Sequence, residues 1–219
     1  MLLLRLPGVY APQDDSEFLL DTVLAHGLPP RARVLDLGTG TGRVALGLAR
    51  AGARRVTAID LSRRAVWATR LNSSLRRARV QVRHGDLRNG LHGRYDVIVS
   101  NPPYVPSVAD LPGRHSRARA WDAGPDGRRL LDSICTAAPN HLAPGGVLWL
   151  VHSALCGGQR TVDMLRTAGL PARIVDRVDI PFGPVMRARA GWLLEQGLIE
   201  ANQRTETLVV IRADRPRDA

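Results

Sequence analysis

The chain has 219 residues, 44% apolar and 23% charged, enough to bury one core of ordinary size and too evenly mixed to be disordered or fibrous. Its net charge is +11, yet all 31 basic residues are arginine, which points to coding bias in a GC-rich genome as much as to a phosphate-binding surface, so nucleic acid stays open as a partner. Cys135 and Cys156 lie far apart and the six histidines are scattered, which excludes a disulfide framework and gives no metal-ligand spacing.

The opening Met1-Leu2-Leu3-Leu4 is broken by Arg5 and Pro7, too short for a signal sequence or a membrane helix, so a cytoplasmic protein is expected. Residues 1–30 read as a helical lead-in: Asp14, Asp15 and Ser16 offer N-caps, Leu19, Leu20, Val23 and Leu24 repeat at helical spacing, and Pro29-Pro30 ends the helix. Arg33–Leu37 is the first strand, closed by Gly38-Thr39-Gly40-Thr41-Gly42 and followed by a helix with Val44 and Leu48 on one face. Arg55–Asp60 is a second strand. Ser62 then caps a helix whose Leu61, Ala65, Ala68, Leu71 and Leu75 share a spacing that predicts a buried face. Val80–Arg83 is the third strand, leading to Gly85-Asp86.

The fourth strand, from Tyr95, runs into Asn101-Pro102-Pro103-Tyr104, where two prolines forbid both helix and further ladder pairing. Residues 105–127 have no steady period and are expected to form a long loop over the site. A helix from Leu131 to Leu142, a fifth strand over Val147–Val151, later strands over Ala172–Val178 and Thr207–Ile211, and a short helix within Phe182–Gly197 complete the pattern. Alternating strands and helices predict one α/β domain over residues 1–219, with crossover helices on both faces of the sheet.

Chemistry gathers at the strand ends. The spacing Asp36-x-Gly38-x-Gly40-x-Gly42 lets backbone pass close under a ligand, but it is not the dinucleotide fingerprint, and Asp36 would repel a diphosphate while suiting an ammonium group. Asp60 closes strand two, 18 residues after Gly42, where a carboxylate meets ribose hydroxyls or caps a helix. Asp86 closes strand three and can meet an adenine amino group, with Leu87 against the ring, or simply make a turn. Three carboxylates at successive strand ends face the carboxyl edge of a parallel sheet, where such folds bind ligands. His84 and His152 fit local hydrogen bonding, and Trp121 reads either as a loop anchor or as a substrate contact.

This pattern resembles the class I S-adenosylmethionine-dependent methyltransferases over nearly the whole chain. Asn101-Pro102-Pro103-Tyr104 resembles the branch that methylates planar nitrogens: adenine-specific DNA enzymes, some RNA enzymes and the HemK-related glutamine methyltransferases of release factors. Val9-Tyr10-x-Pro12-x-Asp14-Asp15-Ser16 is similar to the opening of the shorter glutamine enzymes, with Ser16 in place of a threonine. Ala120-Trp121-Asp122-Ala123-Gly124-x-Asp126-Gly127-Arg128 resembles their post-catalytic loop, with Asp122 and Ala123 departing from commoner small residues.

The resemblance implies a Rossmann-like, seven-stranded, mostly parallel sheet with the last strand antiparallel. It implies S-adenosyl-L-methionine as cofactor, held by Ser16, Asp36, Gly38, Gly40, Asp60, Asp86, Leu87 and Asn101. Catalysis falls to Asn101, Pro102 and Tyr104: the Asn101 oxygen and the Pro102 carbonyl would each accept one N–H of a planar nitrogen, with Tyr104 packed on the flat group, and no metal is implied. About thirty residues precede the glycine turn, so the helical substrate-binding domain of bacterial release-factor enzymes is expected to be missing. A protein glutamine is the expected acceptor, with a translation release factor as substrate and a small zinc-binding activator as partner. The alternatives are an adenine or guanine of RNA or DNA, a small molecule, and a cofactor-binding protein without catalysis.

Overall fold

The structure, a computed structural model, describes residues 3–10, 14–86, 93–108 and 117–217. Its frame is a seven-stranded sheet built from β1 (Arg33–Leu37), β2 (Arg55–Asp60), β3 (Val80–His84), β4 (Tyr95–Ser100), β5 (Leu142–Ser153), β6 (Ala172–Pro181) and β7 (Thr205–Asp214), in the order β3-β2-β1-β4-β5-β7-β6. β1 pairs in parallel with β2 and β4, β2 with β3, and β4 with β5, while β7 is antiparallel to both β5 and β6. A seven-stranded, mostly parallel sheet with the last strand antiparallel is the fold expected from the sequence.

The central strands carry apolar runs, interrupted in β1 by the buried Asp36, because helices cover both faces. Val34, Leu35, Val97, Ile98, Val99, Leu148 and Leu150 have no exposed surface, and each such burial contributes about 1.5–3 kcal/mol. The helices are α1 (Asp14–His26), α2 (Arg43–Arg50), α3 (Arg63–Leu75), α4 (Arg129–His141), α5 (Gly158–Thr167) and α6 (Pro184–Glu195). Among the described residues none is long and apolar enough to cross a membrane.

Several elements differ from the sequence reading. α5 is unanticipated, because Gly157-Gly158 and the polar residues after them mask a helix that buries Val162 and Leu165. β5 begins at Leu142, before Gly145-Gly146 rather than after it; a Cβ on Gly146 would come within 2.8 Å of the Ala143 carbonyl and 3.0 Å of the Tyr95 carbonyl, where the β4–β5 register shifts. The expected apolar face of α3 is corrected: the helix buries Ala65, Val66, Ala68, Thr69, Asn72 and Ser73, while Leu61, Leu71 and Leu75 stay exposed beside Trp67. Small residues face the sheet, which lets the helix approach closely. The segment after Tyr104 is not a bare loop. Val105 N–H donates to the Trp121 carbonyl at 2.8 Å, Ala123 N–H to the Val105 carbonyl at 3.1 Å and Ser107 N–H to the Gly124 carbonyl at 2.9 Å. A 3₁₀ turn over Arg117–Ala120 precedes that pairing.

The strand order reverses between β1 and β4. Both chains leave the sheet at its carboxyl edge there, which opens a crevice between their first turns.

Candidate active site

One wall of this crevice is the glycine turn. Gly38, Gly40 and Gly42 have φ of +74°, +59° and +88°, a region costly for any residue with a Cβ. A Cβ on Gly40 would meet nothing within 4 Å, and one on Gly38 only the Asn101 carbonyl at 3.9 Å, so the turn faces open space and the second wall. Gly42 serves packing instead: its Cβ would lie 2.8 Å from Thr69 Cγ2 of α3.

Two carboxylates shape the turn from beneath. Asp36 Oδ2 accepts from Thr39 Oγ1 at 2.7 Å and from Ala45 N–H at 3.0 Å; burial pushes its carboxyl up to about 6, against the pull of those two bonds. Asp60 accepts from Gly40 N–H at 3.0 Å and Ser62 N–H at 2.8 Å, so it ties the glycine turn to the start of α3, and burial raises its pKa as well. The cap of α3 is Ser62, whose Oγ accepts from Ala65 N–H at 3.3 Å. Gly85 N–H donates to the Asp60 carbonyl at 3.1 Å, which brings Asp86 to the end of β2. Leu87 lies outside the described residues.

The other wall is Asn101-Pro102-Pro103-Tyr104. Ser100 Oγ donates to the Leu37 carbonyl at 2.8 Å, locking the ends of β4 and β1 together just before the two turns diverge. Asn101 Nδ2 donates to Ser16 Oγ at 3.0 Å. Neither Asn101 Oδ1 nor the Pro102 carbonyl accepts a hydrogen bond from the described residues. Tyr104 is buried, and its hydroxyl donates to Asp15 Oδ2 at 3.2 Å.

Asp15 is a hub that the sequence reading names only as a cap. It also accepts from Tyr10 Oη at 2.8 Å and from Ser16 N–H at 2.6 Å, so α1, the entry segment and the proline turn meet on one buried carboxylate. Burial and the Asp15 charge raise the pKa of both tyrosines, which stay protonated donors. α1 is held against α2 by a close ion pair between Glu17 and Arg43. Glu206, buried at the start of β7, lies within electrostatic reach of Tyr104 and Asp15; one of its oxygens has no partner among the described residues, and burial raises its pKa.

From behind, Cys156 Sγ donates to the Tyr104 carbonyl at 3.0 Å, and burial pushes its thiol up to about 12, so it is a packing and donor group rather than a nucleophile. Gly127 packs on the same carbonyl: a Cβ there would lie 2.3 Å from it. No sequence signal marks Cys156 or Glu206, and Gly127 is visible only within the post-catalytic loop pattern. His152 is buried, with Nδ1 2.8 Å from the Ser153 carbonyl and Nε2 3.0 Å from Thr161 Oγ1, and desolvation holds its pKa down to about 4. His84 Nε2 meets the Leu61 carbonyl at 2.9 Å. Among the described residues no group of histidines, cysteines and carboxylates could hold a metal ion.

The fit to an adenosyl sulfonium rests on the cradle. Gly38 and Gly40 leave room that side chains would fill, Asp36 and Asp60 supply negative charge near it, and the buried Thr41 Oγ1 of the same turn has no partner among the described residues.

Known proteins share this architecture. The model of the methyltransferase small domain matches residues 1–112. A Methanocaldococcus jannaschii protein, provisionally named a protein N5-glutamine methyltransferase, is 33% identical over 188 residues, covering 86% of this chain and 93% of its own length. The release factor glutamine methyltransferase of Bordetella pertussis is 39% identical over 175 residues, covering 75% of this chain; the match spans 63% of the bacterial protein. In three dimensions the chain is similar to the E. cuniculi Mtq2–Trm112 structure, described as responsible for methylation of the eRF1 termination factor, with TM-score 0.65, 24% identity, and 95% and 99% of the two chains covered.

Proposed function

Because this chain belongs to the HemK-related family of S-adenosylmethionine-dependent methyltransferases, we propose that it methylates the side-chain amide nitrogen of a glutamine in a protein, of the translation release factor type. One observation carries the reading: Asn101 commits Nδ2 to Ser16, and neither its Oδ1 nor the Pro102 carbonyl accepts a hydrogen bond from the described residues. Two acceptors on successive residues suit the two N–H groups of a primary amide.

The cofactor supplies an electrophilic methyl group. The protein's own work is positioning. An amide lone pair is delocalised into the carbonyl, so it must be aimed at the methyl carbon and turned out of conjugation. Asn101 Oδ1 and the Pro102 carbonyl accept one N–H each and fix that direction; polarising both bonds also offsets the positive charge that develops on nitrogen. Tyr104, held by Asp15 and Cys156, forms the rigid wall behind the acceptor. The methylated nitrogen then loses a proton to water, so no histidine is required. Gly38, Gly40, Asp36, Asp60, Asp86 and Ser16 shape the cofactor side, and Leu87 is assigned there on resemblance alone.

The nucleic-acid alternative draws on the net charge and on a proline turn shared with nucleic-acid enzymes, whereas the curated relatives named above are protein methyltransferases by name. Tritiated cofactor incubated with lysate decides between them. Label that is lost to protease and survives nuclease is expected; label lost only to nuclease defeats the glutamine reading.

A small activator subunit belongs to the same proposal. β3 is an edge strand, and α3 beside it exposes Trp67, Leu71 and Leu75 in one row. Residues 61–84 carry seven arginines and no acidic residue, which suits an acidic partner with an apolar face. A Leu71→Ser/Leu75→Ser variant should lose co-elution with a co-expressed small zinc-binding activator and keep its cofactor affinity; retained co-elution rejects this surface.

A further inference from the structure

The Asp122 that departs from the small residues of the post-catalytic loop has a partner in space. Its buried carboxylate lies 2.6 Å from Arg189 Nη2 of α6, a close ion pair rather than an aligned hydrogen bond. The same guanidinium donates through Nη1 to the Pro106 carbonyl at 2.9 Å. Arg189 therefore grips both sides of the paired arm that leaves the Asn101–Tyr104 turn, at Pro106 on one side and Asp122 on the other, where Val105 and Asp122 form a parallel bridge. The grip has an apolar base: Phe182, Met186, Leu193 and Ile199 form a separate core against which Val105 and Leu155 pack. α6 reaches the site only because the β6–β7 connection stands at the carboxyl edge of the sheet.

We propose that Arg189 is a positioning residue for the methyl acceptor, acting through the Pro106 carbonyl and Asp122 to fix the arm that carries Tyr104. A fork is needed for this. Lysine offers one point charge and cannot hold a carboxylate and a carbonyl in fixed directions together. Among the described residues the polar partners of Arg189 are Pro106 and Asp122, not the glycine turn, so cofactor affinity is expected to be independent of the grip. This inference rests on the acceptor reading above for its kinetic part and on geometry alone for its structural part.

The test is Arg189→Ala, Arg189→Lys and Arg189→Ala/Asp122→Ala, assayed with a recombinant class I release factor of the same organism. Arg189→Ala should raise KM for that protein about ten-fold with kcat within about two-fold and cofactor Kd unchanged; Arg189→Lys should fall between it and wild type. The double variant, which removes the stranded carboxylate, should recover part of the loss. Hydrogen exchange provides the readout that needs no acceptor: the Val105 and Ala123 amides should exchange at least about ten-fold faster in Arg189→Ala. Unchanged exchange at those amides overturns the grip, and faster exchange with an unchanged KM overturns its role towards the acceptor. A wild-type enzyme that leaves the release factor unlabelled counts against the acceptor reading, while the exchange rates still decide the grip.

Discussion

Asn101 Nδ2 and Ser16 Oγ meet at 3.0 Å across 85 residues of sequence, and in the role proposed for Asn101 this contact fixes which end of its amide faces the acceptor. With Nδ2 tethered, Oδ1 would present an acceptor to the proposed substrate N–H; free rotation would present a donor half of the time. Ser16→Ala should lower kcat about ten-fold, or about 1.4 kcal/mol, whereas Ser16→Thr keeps the hydroxyl and most of the rate. Single-turnover methyl transfer measures both. Asn101→Ala should remove at least about a thousand-fold of the rate with cofactor Kd little changed, and activity near wild type would reject its role.

Asp60 acts on the other wall. Its two bonds to Gly40 N–H and Ser62 N–H hold the cradle open at the end of β2. Asp60→Ala leaves both donors without their partner and should weaken cofactor binding by about ten- to a hundred-fold, as 1.5–3 kcal/mol for bonds to a charged group implies. Titration calorimetry reads this directly.

Gly127 makes a sharper case for the fold behind Tyr104. It combines φ of +69° with a backbone approach that leaves no room for a Cβ beside the Tyr104 carbonyl. Gly127→Ala should cost about 3 kcal/mol or more, lowering Tm by roughly 6–12 °C at this chain length. An unchanged melting temperature contradicts the close approach.

The buried His152 gives the protein a pH signature. Its folded pKa of about 4 lies below the ordinary 6.5, so between these values the unfolded chain binds the proton and the folded one does not. Stability from this residue is therefore full above pH 6.5 and is lost progressively as pH falls towards 4, by roughly 3 kcal/mol in all. Asp36 works in the opposite sense: its folded pKa of about 6 exceeds its ordinary 3.8, so its contribution is full at low pH and is lost as pH rises through 6. Denaturant midpoints of wild type and His152→Gln at pH 7 and pH 4.5 separate the two. The variant should show the smaller acid loss, and parallel curves would remove His152 from the account.

The two turns were legible in the sequence because each is local backbone chemistry. Two prolines after a buried strand admit only one outcome, and glycines at alternate positions mark a backbone that must adopt positive φ. The strand-end carboxylates were legible by place, though not by partner: Asp36 and Asp60 turn out to bond the glycine turn that they flank. Leucine spacing misdirected the reading of α3, since a helix lying close on a sheet buries alanines, threonine and serine and turns its large side chains outward. Cys156 on the Tyr104 carbonyl, Arg189 on Pro106 and the burial of Glu206 depend on chain segments returning from 52, 83 and over a hundred residues away. No period or motif encodes such a return; only the topology of β5, β7 and α6 does.

That topology also sets an order in time. β7 follows every other described strand in the chain, yet it lies inside the sheet, between β5 and β6. During synthesis the glycine turn and the proline turn leave the ribosome well before β5 acquires its second neighbour. The two turns can thus assemble on a nascent chain, while the second neighbour of β5 waits for residues from Thr205 onward. A chain stalled before that point would carry β5 with an unpaired apolar edge, and the interval is one in which chaperone cover matters most.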